Sequence, residues 1–307
     1  MAAARAGDRA ALARLLSLIE QGGEPARAVG RLSHPYGGAV YTVGMTGAPG
    51  SGKSTLTSEL ITTIRRQSLE VAVLAIDPSS PFSGGAILGD RVRMQDHATD
   101  SGVFIRSMAT RGHLGGLALA VPEAVRLLDA LDREWVIIET VGVGQVEVEV
   151  AGEADTTVVV VNPGWGDSVQ ANKAGLMEIA DIFVINKADR KGVEETRRDL
   201  EVMLELGELG EWRPPILTTV ATKGEGIDAL WSAIGEHRRY AESSGLLERR
   251  RTQRLRAELR EIVARRLEDR ARRLCAGTTW DELEADVEAR RLDPWTAADR
   301  MLDGLTD

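Results

Sequence analysis

Gly47, Gly52, Lys53 and Ser54 stand in the spacing G-x-x-x-x-G-K-[ST] within GMTGAPGSGKS, residues 44 to 54, between the apolar run AVYTV and the helix-like stretch TLTSELITTIRR. Ordering a segment this rich in glycine costs conformational entropy, so a ligand has to compensate. The chemistry that fits is polyanion binding. Gly47, Ala48, Pro49, Gly50, Ser51 and Gly52 would form a loop whose backbone N–H groups turn inward around phosphate oxygens. Lys53, Ser54 and Thr55 would open a helix whose positive dipole end faces the same charge. Lys53 would neutralise the β- and γ-phosphates of a nucleoside triphosphate, and the Ser54 hydroxyl would ligate Mg²⁺.

A second motif would read the base. Asn186, Lys187, Ala188 and Asp189 follow the apolar run IFVIN. The Asp189 carboxylate can accept hydrogen bonds from guanine N1–H and the exocyclic amine, whereas adenine offers an acceptor at N1 and no amine there. Guanine is therefore preferred, and the backbone of Val220, Ala221 and Thr222 is a candidate donor set for its O6. Mg²⁺ asks for further oxygen ligands. Asp77 closes VAVLAID, Glu139 closes WVIIET, and Asp90 lies in SGGAILGDRVRM; with Ser54 they form a candidate metal set. Each of these acids also has a plainer reading as a turn or capping residue. Gly142, in ETVGVGQ, would offer an N–H to the γ-phosphate, and Gln145 either orients the attacking water or is structural.

These residues need a frame that brings them to one edge. Six short apolar runs recur: AVYTVGM (39–45), VAVLAID (71–77), WVIIET (135–140), TTVVVVN (156–162), IFVIN (182–186) and PILTTV (215–220). Continuous apolarity indicates strands buried on both faces, and the helix-like segments between them indicate parallel crossovers. The fold class expected is α/β, a doubly wound, mostly parallel sheet, with its ligand beyond the carboxyl ends of the strands. The motifs follow those runs almost one for one. Leu12, Leu15, Leu16 and Ile19 predict an amphipathic helix over 8–21, stopped by Gly22 and Gly23. QVEVEVAGEA (145–154) alternates like a strand but stands where a crossover helix is required, and helix is the reading taken. Beyond residue 240 arginines dominate, while Leu255, Leu259, Ile262 and Leu267 keep a helical spacing, so a long amphipathic helix and shorter helices would form an extension that packs on a second subunit.

Composition removes other classes. A net charge of −9 argues against a general nucleic-acid or anionic-membrane binder. Cys275 is alone, so no disulfide or cysteine-built zinc site forms within one chain. No apolar run reaches the roughly 18–20 residues of a membrane span, and a cytoplasmic location is expected. His34, His97, His113 and His237 are scattered, unlike the His/Cys cluster of a nickel-delivery GTPase.

GAPGSGKST, LAIDPSSPFSGGAILGDRVRM, SMATRGHLGGL, ETVGVGQVEVEV, MEIADIFVINKAD and DPWTAADRML together resemble the methylmalonyl-CoA mutase-associated GTPase family, once labelled an arginine/ornithine transport kinase group. The resemblance covers essentially the whole chain. It implies a homodimeric P-loop GTPase that uses GTP, GDP and Mg²⁺. It also implies a partner, an adenosylcobalamin-dependent acyl-CoA mutase whose cofactor loading, protection or repair is gated by hydrolysis. Domain bounds follow: an N-terminal helical segment at 1–38, the GTPase domain at 39–240 and a helical dimerisation arm at 241–307. By motif match, switch I falls on Asp77 and Asp90 and switch II on Glu139 and Gly142. A third switch maps to 166–181, where Gln170 and Lys173 are candidates for coupling the partner to hydrolysis. The chain departs from the family pattern at Val146 and Val220, where serine is usual. A kinase passing phosphate to protein or metabolite, a nickel-delivery-type GTPase, and a scaffold that only senses GTP are the alternatives.

Overall fold

The structure is a computed structural model that describes residues 1–77, 97, 99–109, 114–140, 153–164, 179–207 and 210–303. In chain order the helices are α1 (Ala2–Arg5), α2 (Arg9–Gln21), α3 (Gly23–Ser33), α4 (Lys53–Arg66), α5 (Leu114–Asp129), α6 (Val193–Leu206), α7 (Ile227–Ser243), α8 (Leu246–Leu274), α9 (Thr278–Glu288) and α10 (Pro294–Asp303). The strands are β1 (Tyr41–Gly47), β2 (Val71–Asp77), β3 (Val103–Ala109), β4 (Trp135–Thr140), β5 (Thr156–Val161), β6 (Ile182–Asn186) and β7 (Ile216–Thr219).

The strands form one sheet in the order β3-β2-β4-β1-β5-β6-β7, and every pairing is parallel. Continuous apolar strands demand cover on both faces. On one face Leu56, Leu60, Ile61 and Ile64 of α4 and Leu230 and Ile234 of α7 pack on Val43, Ile137, Val158 and Val184. On the other, Leu12, Leu16 and Ile19 of α2 and Leu127 and Leu128 of α5 pack on Leu74, Phe104 and Val136. Leu200 and Leu204 of α6 cover Val159, Val161, Phe183 and Ile185. The amphipathic stretch at the N-terminus is thus part of the sheet's cover. Its helix starts where Asp8 caps the amides of Ala10 and Ala11 at 2.8 and 3.0 Å, and ends at Gly22, whose φ of 73° suits glycine.

Strand β3 has no counterpart among the six apolar runs. Its sequence, VFIRSMA, is broken by Arg106 and Ser107, as an edge strand tolerates. Arg106 is absorbed by α2, donating to both carboxylate oxygens of Glu20 at 3.0 and 2.6 Å and to Ser17 at 3.0 Å.

At the amino edge of the sheet, opposite the motifs, two carboxylates fasten the start of α8. Asp155 precedes β5 and accepts from the Thr42 amide at 3.0 Å; Asp181 precedes β6 and accepts from the Thr157 amide at 2.9 Å. Arg251 donates twice to Asp155, at 3.1 and 2.6 Å, and Arg250 donates twice to Asp181, both at 2.9 Å. His237, fully buried, bridges the Thr156 hydroxyl at 2.8 Å and Asp181 at 3.2 Å. Burial pushes the Asp181 pKa up, but the neighbouring His237 and the two hydrogen bonds and charge of Arg250 outweigh it and hold the group below its ordinary value. Burial also raises the Tyr41 hydroxyl, so it stays protonated where it meets Thr156 at 2.8 Å.

The chain divides into two compact units, Met1–Arg251 and Thr252–Asp307. In the second, α9 packs on α10, and neither α8 nor α9 has a buried residue.

Candidate nucleotide site

The doubly wound order places the topological switch beside β1, with β4 and β2 on one side and β5 on the other. A crevice opens beyond the carboxyl ends of such strands, and the glycine-rich loop leaves β1 there. Gly47 has φ 135° and lies so close to β5 that a Cβ would run into the Val160 backbone. Gly52 has φ 94°, and a Cβ there would strike the Asn186 side-chain amide. Gly50, φ 73°, has open space around it. Two of the glycines are thus required by neighbouring chain and the third by backbone twist alone.

The loop is held from inside and from outside. Inside, the Lys53 ammonium donates to the carbonyls of Gly47 at 2.7 Å and Ala48 at 3.1 Å, and is 5% exposed at the head of α4. Ala48 packs against the Val159 and Val161 cluster, Ser51 is buried with its amide on the Ala48 carbonyl at 3.1 Å, and Pro49 and Gly50 form the turn between them. Thr55 follows in the first turn of α4. Outside, Asn186 at the end of β6 donates its Nδ2 to the Ser51 carbonyl at 2.8 Å. Its Oδ1 accepts from the Thr219 hydroxyl at 3.0 Å and the Ala221 amide at 3.2 Å. Lys187, in the left-handed region at φ 59°, donates to the Gly50 carbonyl at 2.5 Å. Sequence reasoning assigned Asn186 and Lys187 to the base; the structure shows them bracing the phosphate loop, a role no spacing rule reveals.

Around the expected base position, Asp189 is exposed on the turn after β6, and the Ala188 amide bonds the Thr219 carbonyl at 3.0 Å. Of the three residues expected to face guanine O6, Val220 donates its amide to the Glu225 carbonyl at 3.1 Å and Ala221 donates to Asn186. Those two N–H groups are engaged inside the protein, and Thr222 is exposed on the adjoining turn.

Glu139 reaches the loop from β4. The strand register sets it level with Met45 of β1 and Ala75 of β2. Buried at 1% exposure, its Oε1 accepts from the Ser54 hydroxyl at 2.5 Å. Two oxygen donors side by side, one anionic, fit a hard divalent cation such as Mg²⁺. Asp77 ends β2, next to β4; its side chain lies outside the described set, as do Asp90, Gly142, Gln145, Val146, Gln170, Lys173 and His113. The helix expected at 145–154 also falls outside it, except for Glu153 and Ala154 in a turn. Among the described residues no cluster of His, Cys, Asp and Glu forms a separate metal site. His97 bonds Ser58 of α4 at 3.0 Å, and with His237 it does structural work.

Comparison with known proteins agrees with the fold. A family model described as Methylmalonyl Co-A mutase-associated GTPase MeaB matches residues 12–276. A protein of Pyrococcus abyssi, itself classed as a GTPase by inference, is 51% identical over 301 residues, covering 96% of this chain and 93% of its own. GTPase ArgK of Escherichia coli K12 is 40% identical over 258 residues, 81% of this chain and 78% of its own. Among solved structures, an LAO/AO transport system kinase is 30% identical with a TM-score of 0.72, covering 99% of this chain and 95% of that one.

Proposed function

The chain belongs to the methylmalonyl-CoA mutase-associated GTPase family, and from that premise we propose that it couples GTP hydrolysis to loading, protecting or reactivating the cofactor of an adenosylcobalamin-dependent acyl-CoA mutase. That it is a P-loop GTPase binding guanine nucleotides follows from the family itself. The observation that carries the rest is the junction at Asn186, which ties the base-reading motif to the phosphate loop through Ser51.

The residues divide the work as follows. Loop N–H groups and Lys53 take the phosphate charge. Asp189 selects guanine. Ser54 and Glu139, with Asp77 and Asp90 by sequence, would hold Mg²⁺, and the ion when bound would stabilise charge on the transferring phosphoryl oxygens. Glu139 keeps Ser54 oriented, and the Asn186 brace keeps the loop shaped before the nucleotide arrives, the preorganisation on which electrostatic stabilisation depends. In this reading Gly142 would offer its N–H to the γ-phosphate, Gln145 would orient the attacking water, and Gln170 and Lys173 would couple partner binding to hydrolysis. The family description supports the mutase partner, and the exposed apolar stripe of α8 supports a homodimer. A cytoplasmic site of action completes the proposal; among the described residues no helix is long and apolar enough to cross a membrane.

The test is GTP turnover with each candidate apo-mutase: methylmalonyl-, isobutyryl-, 2-hydroxyisobutyryl- and ethylmalonyl-CoA mutase. Marked acceleration by one identifies the client. No acceleration by any would remove the chaperone role, and labelled γ-phosphate appearing on protein or arginine instead of as free phosphate would favour a kinase.

A further inference from the structure

The paired register of β1 with β4 runs from Tyr41 and Trp135 to Met45 and Glu139. One residue further on, side chains join the strands: the Thr140 hydroxyl donates to the Thr46 hydroxyl at 3.1 Å and, at the longer distance of 3.4 Å, to the Met45 carbonyl. Both threonines are fully buried, and their strand neighbours are aliphatic, Val159 of β5 beside Thr46 and Ile76 of β2 beside Thr140. Side chains alternate along a strand, so this pair lies on the face of the sheet opposite the one where Glu139 meets Ser54. The end of β4 is thus fastened to the phosphate-loop region on both faces, by Glu139 on one and by Thr140 on the other.

Stability does not call for this pair. A hydroxyl in apolar surroundings needs a partner, but two valines of the same shape would need none, and exchanging both members of a buried hydrogen bond for apolar groups is close to neutral. What the pair supplies is geometry. A hydrogen bond has a preferred distance and angle, so it sets the separation of the two chains where their paired register stops. Thr46 runs directly into Gly47, whose carbonyl accepts from the Lys53 ammonium at 2.7 Å. Thr140 stands two residues before Gly142, the expected donor to the γ-phosphate.

We propose that Thr46 and Thr140 are a positioning pair for hydrolysis: their hydroxyl contact fixes the distance between the phosphate loop and the chain leading to Gly142, and so serves the γ-phosphate and not the rest of the nucleotide. The inference rests on the GTPase reading and deepens it. GDP has no γ-phosphate, so its binding should not register the pair. The transition state of γ-phosphoryl transfer depends on donors held in place beforehand, so turnover should.

The double variant Thr46→Val with Thr140→Val tests it in the full chain, with three readouts. Its melting temperature should stay within about 3 °C of wild type, because both partners are replaced by groups of equal shape. GDP affinity by calorimetry should stay within about twofold, while kcat for GTP at saturation should fall at least about tenfold. Thr140→Ser keeps the donor and should hold kcat within about threefold of wild type. Wild-type turnover in the double variant would overturn the proposal, as would a serine variant as slow as the double valine. A double variant that melts well below wild type, or loses GDP affinity as steeply as kcat, would make the pair structural and overturn it equally. A wild-type chain that binds GDP but releases no phosphate from GTP would overturn the GTPase reading itself, a result that none of the variant outcomes mimics.

Discussion

At the scale of single residues, the site depends on contacts that tolerate little substitution. Gly50 and Gly52 share the left-handed region, at φ 73° and 94°, but only Gly52 has a side chain in the path of a Cβ. Gly50→Ala should cost about 1–2 kcal/mol from backbone strain alone. Gly52→Ala adds displacement of Asn186, so GDP affinity measured by calorimetry should fall at least about tenfold further than in Gly50→Ala. Equal affinities in the two variants would show that the Asn186 brace is unimportant. Asp189→Asn replaces an acceptor pair by a donor and an acceptor, so the ratio of GTP to ATP affinity should fall on the order of 10- to 100-fold. An unchanged ratio would remove Asp189 from base reading.

At the scale of elements, the clasp at the amino edge of the sheet gives a prediction with a sign. Asp181 titrates below its ordinary value in the folded protein. Its contribution is therefore complete above the unfolded pKa of about 4 and is lost as pH falls through the lower folded pKa. Asp181→Asn leaves Arg250 without its carboxylate and should cost about 3 kcal/mol, roughly 6–12 °C in melting temperature for a unit of this size. Thermal melts from pH 7 to pH 3 check it: the gap between wild type and variant should narrow below about pH 4, and a constant gap would contradict the assignment.

The same elements show what a sequence reveals. Six strands were legible because burial on both faces writes an apolar run, and the phosphate loop was legible because its glycines answer to local geometry. Strand β3 was hidden, since Arg106 is satisfied by Glu20, eighty-six positions earlier in the chain. Arg250 and Arg251, within a run of arginines that reads as a solvated face, turned out to grip Asp181 and Asp155. The bracing roles of Asn186 and Lys187 were hidden for the same reason: the partners, Ser51 and Gly50, lie more than a hundred residues away.

At the scale of the whole molecule, a seven-stranded parallel sheet carries nucleotide chemistry at its carboxyl edge and holds the root of α8 at its amino edge. Strands β5 and β6 run between those edges, from Asp155 and Asp181 to the loop residues that follow them. Ligand that binds only the folded chain stabilises it by mass action, so saturating GDP at 100 times its dissociation constant should add about 2.7 kcal/mol to the nucleotide-binding unit. The second unit, with its uncovered leucines, should gain nothing directly; domain-resolved hydrogen exchange would separate the two.

The central claim is that a phosphate loop braced by Asn186, with the base read by Asp189, selects guanine nucleotides, and calorimetric titration of the wild-type chain with GDP and with ADP in the presence of Mg²⁺ tests it most directly. The account requires one GDP per chain, bound at least about 100-fold more tightly than ADP. Equal affinity for the two, or no heat from either, would contradict it.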